Sequence, residues 1–317
     1  MKKLSVVIPA YNEELMIMRA ARTIKEILDA EEIPYELLFV DDGSRDGTWT
    51  EIEKAAGKDP CVHGLMLSRN FGKESAIAAG LSCAEGDAVA VMDCDLQHPP
   101  EKLIEMYRLW EQGYEIVAGI KKNRGKEGRL HKKGVSLFYR ILSSSVGMNL
   151  NNTSDFKLMD RKVVESILSM PERNMFFRAI SSWVGFKTTS VEFTVRERTA
   201  GESKWSAWSL IKYAFTNIVS FTTLPLQFVT IAGLLCLVCS FILGVYSFVQ
   251  YFAGHAVEGY TTILIVLLFI GSAVMVSLGI IGYYIAKIYD EVKHRPRFIV
   301  SRYTKTGQKG WSNERVD

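Results

Sequence analysis

Short apolar runs alternate with segments of helical periodicity from the start of the chain to about residue 200. The apolar runs are rich in Val, Ile and Leu, and each has the length of a buried strand. They occupy Leu4–Ile8, Glu36–Val40, Gly64–Leu67, Ala88–Met92 and Glu115–Ala118. The helical segments between them are Glu13–Glu31, Thr48–Ala56, Lys73–Ala84 and Pro100–Gln112. This order predicts an α/β domain with a mostly parallel sheet and helices on both of its faces.

Two later stretches, Leu226–Tyr251 and Thr261–Ala286, contain no charged residue. Each exceeds the roughly 20 apolar residues that cross the hydrocarbon core of a bilayer, so we expect a transmembrane hairpin. A helical hairpin buried in a soluble core is the alternative, which such long uncharged runs disfavour. Lys and Arg follow the second stretch and are missing from the loop between the two, which predicts that both ends of the hairpin are cytoplasmic.

Between the α/β domain and the hairpin, aromatic and aliphatic residues recur every three or four positions from Trp205 to Ile218. This spacing is typical of a helix lying in the membrane interface, although packing against the globular domain would produce it too. The sequence therefore predicts five regions. They are the α/β domain at 1–204, an interfacial helical region at 205–225, transmembrane helices at 226–252 and 261–286, and a basic cytoplasmic tail at 287–317.

Composition narrows the classes of partner and compartment. Lys and Arg total 38 against 35 Asp and Glu, and the net charge of +3 is too small to indicate nucleic-acid binding. The five Cys are scattered, which disfavours a secreted disulfide scaffold and favours a reducing compartment. The N-terminal apolar run ends in Tyr-Asn-Glu-Glu and is too short for a signal peptide. We therefore expect an integral membrane protein whose large domain faces the cytosol.

Two adjacent carboxylates, Asp41 and Asp42, follow the second predicted strand. Ligands of open α/β sheets bind beyond the carboxyl ends of the strands, which is where these residues lie. Adjacent carboxylates repel each other unless something binds them, and a ribose or a base edge would donate suitable hydrogen bonds. The chain has neither a GxGxxG nor a GxxxxGK[ST] motif, so a dinucleotide or P-loop site is not supported.

The fourth predicted strand ends in Asp93-Cys94-Asp95, and Gln97 follows. Carboxylates at positions i and i+2 share one face and can reach one hard cation, to which Gln97 would add an oxygen ligand. Mg²⁺ or Mn²⁺ bound in this way takes further ligands from water and phosphate. We interpret the neighbouring His98 as a structural residue rather than a metal ligand.

Two basic clusters lie closer to the predicted membrane segments. Residues 121–140 contain one acid and the basic residues Lys121, Lys122, Arg124, Lys126, Arg129, Lys132, Lys133 and Arg140. The second cluster, which holds Arg196, Arg198 and Lys204, directly precedes the interfacial segment. A solvated basic face is the usual interpretation of such runs. Beside a bilayer they would also attract anionic headgroups or grip a lipid phosphate.

Taken together, these motifs resemble family 2 glycosyltransferases of the GT-A fold, and within them the polyprenyl-phosphate glycosyltransferases. The resemblance covers nearly the entire chain and is closest to the bacterial bactoprenol branch. Its strings are SVVIPAYNEE, FVDDGSRDGT, SRNFGKESA, VMDCDLQHPPE, TSDFKLMDRKV, RERTAGESKWS and IYDEVKHRPRFIV. The QxxRW string of processive sugar polymerases is missing, which favours a single transfer.

The resemblance implies roles for individual residues. The nucleotide would be held by Pro9, Tyr11, Glu13, Val40, Asp42 and Asp93. The metal, Mg²⁺ or Mn²⁺, would be bound by Asp93, Asp95 and Gln97. The acceptor phosphate would be contacted by Lys121, Lys132, Ser136, Arg198 and Lys204. Of these, Asp95, Arg198 and Lys204 would also act in catalysis. If the reaction uses a base or a carboxylate that orients the sugar, Asp155 is the best candidate among the residues of the chain. The alternative for Asp155 is a structural residue at the start of a helix.

The reaction implied is transfer of one sugar, most simply glucose, from a UDP-sugar to undecaprenyl phosphate at the cytoplasmic face of the bacterial plasma membrane. In-line attack by the acceptor phosphate would invert the anomeric configuration. The nearest alternative is a GDP-mannose-dependent enzyme acting on dolichyl or another polyprenyl phosphate. A non-catalytic nucleotide-sugar-binding protein tethered to the membrane is the more distant one. Membrane lipids are expected partners, nucleic acid is not, and assembly into a homo-oligomer is left open.

Overall fold

The computed structural model describes residues 2–122, 153–170, 172, 176–194, 224–253 and 259–304. The chain divides into two compact units. The first comprises residues 1–210 together with 296–317, and the second comprises residues 211–295. Residues 205–223 of the predicted interfacial region lie outside the described residues, and so do residues 123–140 of the basic run.

The first unit is built on an eight-stranded sheet in the order β7-β5-β6-β4-β1-β2-β3-β8. The strands are β1 Leu4–Ala10, β2 Tyr35–Asp41, β3 Val62–Leu67, β4 Ala88–Val91, β5 Ile116–Lys121, β6 Thr153–Asp160, β7 Thr188–Phe193 and β8 Val300–Tyr303. Every residue of β1, β2 and β4 is buried, because these central strands are covered on both faces. The continuous apolar runs in the sequence therefore predicted these strands correctly.

Helices cover the two faces of the sheet. The first unit contains α1 Glu14–Ala30, α2 Thr48–Lys58, α3 Lys73–Cys83, α4 Lys102–Glu111, α5 Arg161–Leu168 and α6 Phe177–Trp183. In α1 the buried positions Ile17, Ala20, Ile24 and Leu28 recur every three or four residues, which is why this segment forms an amphipathic helix. The four helices predicted from the sequence match α1 to α4 to within two residues at each end.

The predicted mostly parallel sheet is confirmed, with a mixed flank that the sequence did not reveal. Among the residues that the structure describes, four of the seven strand pairs are parallel, namely β1–β2, β1–β4, β2–β3 and β5–β7. The pairs β4–β6, β5–β6 and β3–β8 are antiparallel. Because β6 reverses direction between β4 and β5, residues near its start lie beside the carboxyl end of β4.

Strand β8 comes from the segment that the sequence analysis assigned to a cytoplasmic tail. It pairs with β3 at the edge of the sheet, and the next residue, Thr304, continues the contact. The Thr304 backbone N–H donates to the Gly64 carbonyl at 3.0 Å, and the Gly64 N–H donates to Thr304 Oγ1 at 3.1 Å. This part of the tail belongs to the same folded unit as the N-terminal strands.

The second unit contains two long helices, α7 Leu224–Phe252 and α8 Tyr260–Val292. Both are long and apolar enough to cross a membrane, through Leu226–Tyr246 and Phe269–Val292. Large apolar side chains on them are exposed, among them Phe241 and Leu267. A helix of a soluble core would bury these side chains, so their exposure favours a lipid-facing role over a buried hairpin.

Candidate functional site

The loops that follow β1 and β2 are joined by hydrogen bonds at the carboxyl edge of the sheet. Asn12 has a left-handed backbone, with φ of 53°, and its N–H donates to Ser44 Oγ at 2.9 Å. In return, the Arg45 N–H donates to Asn12 Oδ1 at 2.9 Å. The Glu13 N–H donates to Thr48 Oγ1 at 2.9 Å, at the start of α2. These hydrogen bonds hold together the loops 11–13 and 42–47, which we call the rim. Tyr11 and Glu13 lie half-buried on it.

Asp41 and Asp42 are both buried, but they differ in their hydrogen bonding. Asp42 accepts from the N–H groups of Phe71 and Gly72, at 2.7 and 2.9 Å, one on each carboxylate oxygen. Burial raises the pKa of Asp42 to about 6. In Asp41 one oxygen accepts from the Ser44 N–H, and Oδ2 has no hydrogen-bond partner among the described residues. Both oxygens of Asp42 thus have a backbone donor, whereas the buried Oδ2 of Asp41 has none within the described part of the chain.

Pro9 and Val40, which the resemblance places at the nucleotide, are register partners in the β1–β2 ladder. Their side chains are buried, and Val40 packs against the position of Gly80 in α3. Both residues therefore have the environment of the sheet core directly below the rim.

A tight turn follows β4 and contains the predicted metal ligands. The Gln97 N–H donates to Asp95 Oδ1 at 3.1 Å, and Leu96 adopts a φ of 56°, in the left-handed region. A non-glycine residue in this region is held there by its surroundings, since it costs of order 1 kcal/mol or more. The turn thus contains Asp93, Asp95 and Gln97 within five consecutive residues shortly after the strand.

His98 lies behind this turn and has the contacts of a structural residue. Its ring stacks on Phe156 at 5.1 Å between centroids and meets the edge of Phe193 at 5.4 Å. The Asp93 N–H donates to His98 Nδ1 at 3.4 Å. Burial lowers the pKa of His98, so the ring packs in its neutral form.

Asp93 and Asp155 are joined by the ammonium group of Lys73, the first residue of α3. Lys73 Nζ lies 2.6 Å from Asp93 Oδ1 and 2.8 Å from Asp155 Oδ2. Arg178 of α6 donates to both oxygens of Asp155, at 2.6 Å from Nε and 2.9 Å from Nη2. Burial opposes ionisation of Asp155, but Lys73 and Arg178 outweigh it and hold its pKa well below the usual value. Asp155 is therefore ionised and engaged by two cations.

Three more ionisable side chains, of which Lys157 is buried and Glu74 and Lys121 are half-buried, lie near this network. Glu74 Oε2 accepts from the Phe177 N–H at 2.9 Å, and burial raises the pKa of Glu74 to about 7. Lys157 donates to Ser181 Oγ at 2.6 Å, and burial lowers the pKa of Lys157 to about 8. Lys121, at the end of β5, has its pKa lowered by burial and by the nearby charge of Arg178. Cationic groups thus gather around Asp93 and Asp155.

The side chains after β4 fit a hard divalent cation that shares its coordination with a ligand. Two carboxylates and one amide supply only oxygen atoms, as Mg²⁺ and Mn²⁺ prefer. Asp93 already neutralises one cation in the structure, the Lys73 ammonium group. Within the described part of the chain, no group of three or more His, Cys, Asp and Glu forms a complete metal cage. Such a site suits an ion that takes its other ligands from phosphate and water.

The structure brings together only part of the predicted site. Asp93, Asp95, Gln97, Asp155 and Lys121 lie around the carboxyl end of β4, and Pro9, Tyr11, Glu13, Val40 and Asp42 lie along β1, β2 and the adjoining rim. Lys132, Ser136, Arg198 and Lys204 lie outside the described residues. The alternative that placed Asp155 at a helix start is wrong, because Asp155 lies within strand β6.

Sequence reasoning missed Lys73, Arg178 and Glu74 as members of this site. Lys73 and Glu74 belong to the string SRNFGKESA, which contributed to the resemblance but received no assigned role. Gly-Lys-Glu after the third strand was a signal, because α3 begins at the carboxyl edge where the site was expected. Arg178 carried no such signal, because it lies on a short helix outside the predicted elements.

The sequence of this chain matches a known protein family and individual relatives. Residues 5–168 match the family model described as "Glycosyl transferase family 2". A prophage bactoprenol glucosyl transferase homolog of Escherichia coli (strain K12) is 39% identical over 305 residues, which cover 96% of this chain and 100% of that protein. A bactoprenol glucosyl transferase of Shigella phage SfV is 40% identical over 300 residues, covering 94% of this chain and 98% of that protein.

Among solved structures, the fold is similar to glucosyl-3-phosphoglycerate synthase from Mycobacterium tuberculosis, solved with Mn²⁺, UDP and glucosyl-3-phosphoglycerate. The two proteins are 20% identical, and the match covers 69% of this chain and 78% of that one with a TM-score of 0.46.

Proposed function

The chain belongs to glycosyl transferase family 2, and we propose that it transfers one glucose residue from UDP-glucose to undecaprenyl phosphate. The names of its relatives from Escherichia coli and Shigella phages support a polyprenyl-phosphate acceptor. The two long apolar helices support a membrane-bound enzyme that meets such a lipid. In this proposal the sheet domain and both termini are cytoplasmic, and the donor arrives from the cytosol.

The observation that carries the proposal is the juxtaposition of the Asp93–Asp95 turn with a set of cations. Lys73 and Arg178 contact Asp155, and Lys121 lies at the end of the neighbouring strand β5. Carboxylates that bind a divalent ion and cations that bind phosphate oxygens are both needed at a site that receives a nucleoside diphosphate and a lipid phosphate.

We assign the metal to Asp93, Asp95 and Gln97. A divalent ion held there would supply charge neutralisation for the departing diphosphate. Lys121 and Arg178 would bind and orient phosphate oxygens, a role in which cations position a nucleophile in line with the bond that breaks. Attack from the opposite side of the sugar would invert the anomeric configuration.

This chemistry needs no strong general base, because the acceptor is itself an anion. A phosphate monoester has a second pKa near 6 and is largely dianionic at neutral pH. Asp155 also has the wrong environment for a base, since Lys73 and Arg178 hold its pKa far below neutrality. We therefore propose that Asp155 positions these two cations and takes no proton.

The test is transfer of radiolabelled glucose from UDP-glucose to undecaprenyl phosphate by the purified protein in detergent with Mg²⁺ or Mn²⁺. Label that becomes extractable into organic solvent supports the proposal. Competition by unlabelled UDP-glucose but not by GDP-mannose separates it from the mannosyltransferase alternative. Lack of extractable label from every UDP- and GDP-sugar tested, with nucleotide binding intact, would instead indicate a non-catalytic binding protein.

A further inference from the structure

Lys73 contacts two carboxylates that belong to different parts of the proposed site. Its Nζ lies 2.6 Å from Asp93 Oδ1, in the turn after β4, and 2.8 Å from Asp155 Oδ2, in β6. We propose that Lys73 is an internal counter-ion that competes with the divalent ion for Asp93, so that the ion binds well only together with a nucleoside diphosphate. This inference rests on the proposed metal-dependent function and concerns how its ligands assist each other.

The two contacts of Lys73 differ in how easily they can be exchanged. The Asp155 side chain is 5% exposed and is also held by Arg178, so this end of the network is fixed in the protein interior. The side chains of Asp93 and Lys73 are 29% and 41% exposed, so incoming ligands can reach the ion pair between them. Lys73 can therefore leave Asp93 and keep Asp155 as a partner.

The backbone beneath Lys73 is held in place, so only its side chain needs to move. Gly72, directly before α3, adopts a φ of 97° and donates its N–H to Asp42 at 2.9 Å. Glu74 accepts from the Phe177 N–H at 2.9 Å, which joins the start of α3 to the start of α6. The ammonium group thus lies at the end of a flexible four-carbon stem that rises from a fixed helix start.

For electrostatic reasons, replacement of Lys73 by the metal ion at Asp93 depends on a second ligand. A metal ion bound at Asp93 would lie close to the positive charge of Lys73, which weakens its binding. A diphosphate brings negative charge that pairs with Lys73 once Asp93 is taken, and so removes the penalty. Metal and diphosphate should therefore raise each other's affinity by the same factor, as reciprocal coupling requires.

The experiment measures Mn²⁺ binding to the full-length protein in detergent, with free Mn²⁺ quantified by electron paramagnetic resonance, in the absence and presence of UDP. In wild type we expect weak binding of Mn²⁺ alone and a large increase in affinity with UDP. Lys73→Met should tighten binding of Mn²⁺ alone about tenfold, because the competing charge is gone, and should shrink the effect of UDP. Lys73→Gln, which retains a hydrogen-bond donor and favours folding, should act in the same direction.

Two controls separate competition by charge from a purely structural role. Lys73→Arg keeps the charge and can bridge two carboxylates, so its Mn²⁺ affinities should stay within about twofold of wild type. Lys102→Met removes an equally long cation from an exposed pair with Glu105 and should change neither affinity.

The possible failures can be told apart. Wild-type protein that binds UDP but no Mn²⁺, even with UDP present, overturns the proposed metal site and this inference together. UDP-dependent Mn²⁺ binding that is unchanged or weakened in Lys73→Met and Lys73→Gln overturns the inference alone. Wild-type protein that binds Mn²⁺ equally tightly with and without UDP overturns it too, whether or not the variants fold.

Discussion

Arg178 donates to both carboxylate oxygens of Asp155, from Nε to Oδ1 at 2.6 Å and from Nη2 to Oδ2 at 2.9 Å. This bidentate pair joins the short helix α6 to the middle of the sheet, next to the predicted metal ligands. In the proposed mechanism, a carboxylate held in this way would fix the two cations in position and would not act as a base.

Replacing Asp155 with Asn should therefore lower stability as well as activity. The substitution leaves Arg178 and Lys73 without their shared anion, and breaking a buried pair costs about 3–5 kcal/mol. Because these two cations are 27% and 41% exposed, we expect a smaller loss of roughly 2–3 kcal/mol in the free energy of unfolding. Urea titration of the detergent-solubilised protein measures it.

Asp29→Asn provides the matched control, because Asp29 pairs with Lys25 on the exposed face of α1. This control should change the free energy of unfolding by less than about 0.5 kcal/mol. Equal losses in the two variants would show that the Asp155 pair has no special structural role.

Asp95→Asn tests the predicted metal site without disturbing the turn. Asn retains an oxygen that can accept from the Gln97 N–H, so the fold should survive, but the negative charge is lost. We expect the transfer rate to fall at least about 100-fold with little change in the thermal midpoint. Glu105→Gln, on the exposed face of α4, should leave the rate unchanged. A rate for Asp95→Asn close to wild type would remove Asp95 from the catalytic machinery.

The central strands and the Asp93–Asp95 motif were predictable because their signals are local. Strands buried on both faces appear as continuous apolar runs, and two carboxylates at i and i+2 after such a run indicate a site. Strand β6 escaped prediction because it carries Asp155 and Lys157 in a buried environment. Their charges are compensated by partners such as Lys73, 82 positions away in the sequence, and no local pattern reports such a contact.

The raised pKa of Glu74 predicts how the stability of the protein depends on pH. Its folded pKa of about 7 exceeds the usual 4.5, so the folded protein binds a proton that the unfolded chain releases between these values. Stability should consequently decrease as the pH rises from about 4.5 to about 7. Glu74→Gln keeps an oxygen for the Phe177 N–H and cannot ionise, so it should remove this decrease.

Urea titrations of wild type and Glu74→Gln at pH 5 and pH 8 measure the effect. From pH 5 to pH 8, wild type should lose up to about 2 kcal/mol in the free energy of unfolding that Glu74→Gln does not lose. If the difference between the two proteins is the same at both pH values, Glu74 does not titrate in this range.

Gly43 lies where the loops after β2 and β3 come close together beside the rim. Its φ is 66°, and a Cβ added there would lie 2.4 Å from the carbonyl carbon of Arg69. Gly43→Ala should therefore cost about 2 kcal/mol or more and weaken UDP binding, since the loops after β2 and β3 must separate. Gly57→Ala in α2 is the matched control, because its Cβ would meet nothing within 4 Å. That variant should gain about 0.5–1 kcal/mol, and a loss of similar size in both would contradict the proposed close approach.

The pairing of β8 with β3 makes the segment after the second apolar helix part of the sheet domain. Thr304 is buried and its Oγ1 accepts from the Gly64 N–H, so Thr304→Val would leave that backbone donor unsatisfied while preserving shape. The expected loss is about 1–3 kcal/mol in the free energy of unfolding. Thr188→Val, at an exposed position, should stay within about 0.5 kcal/mol. Equal stability of the two variants would indicate that the Thr304 side chain does not anchor this segment to β3.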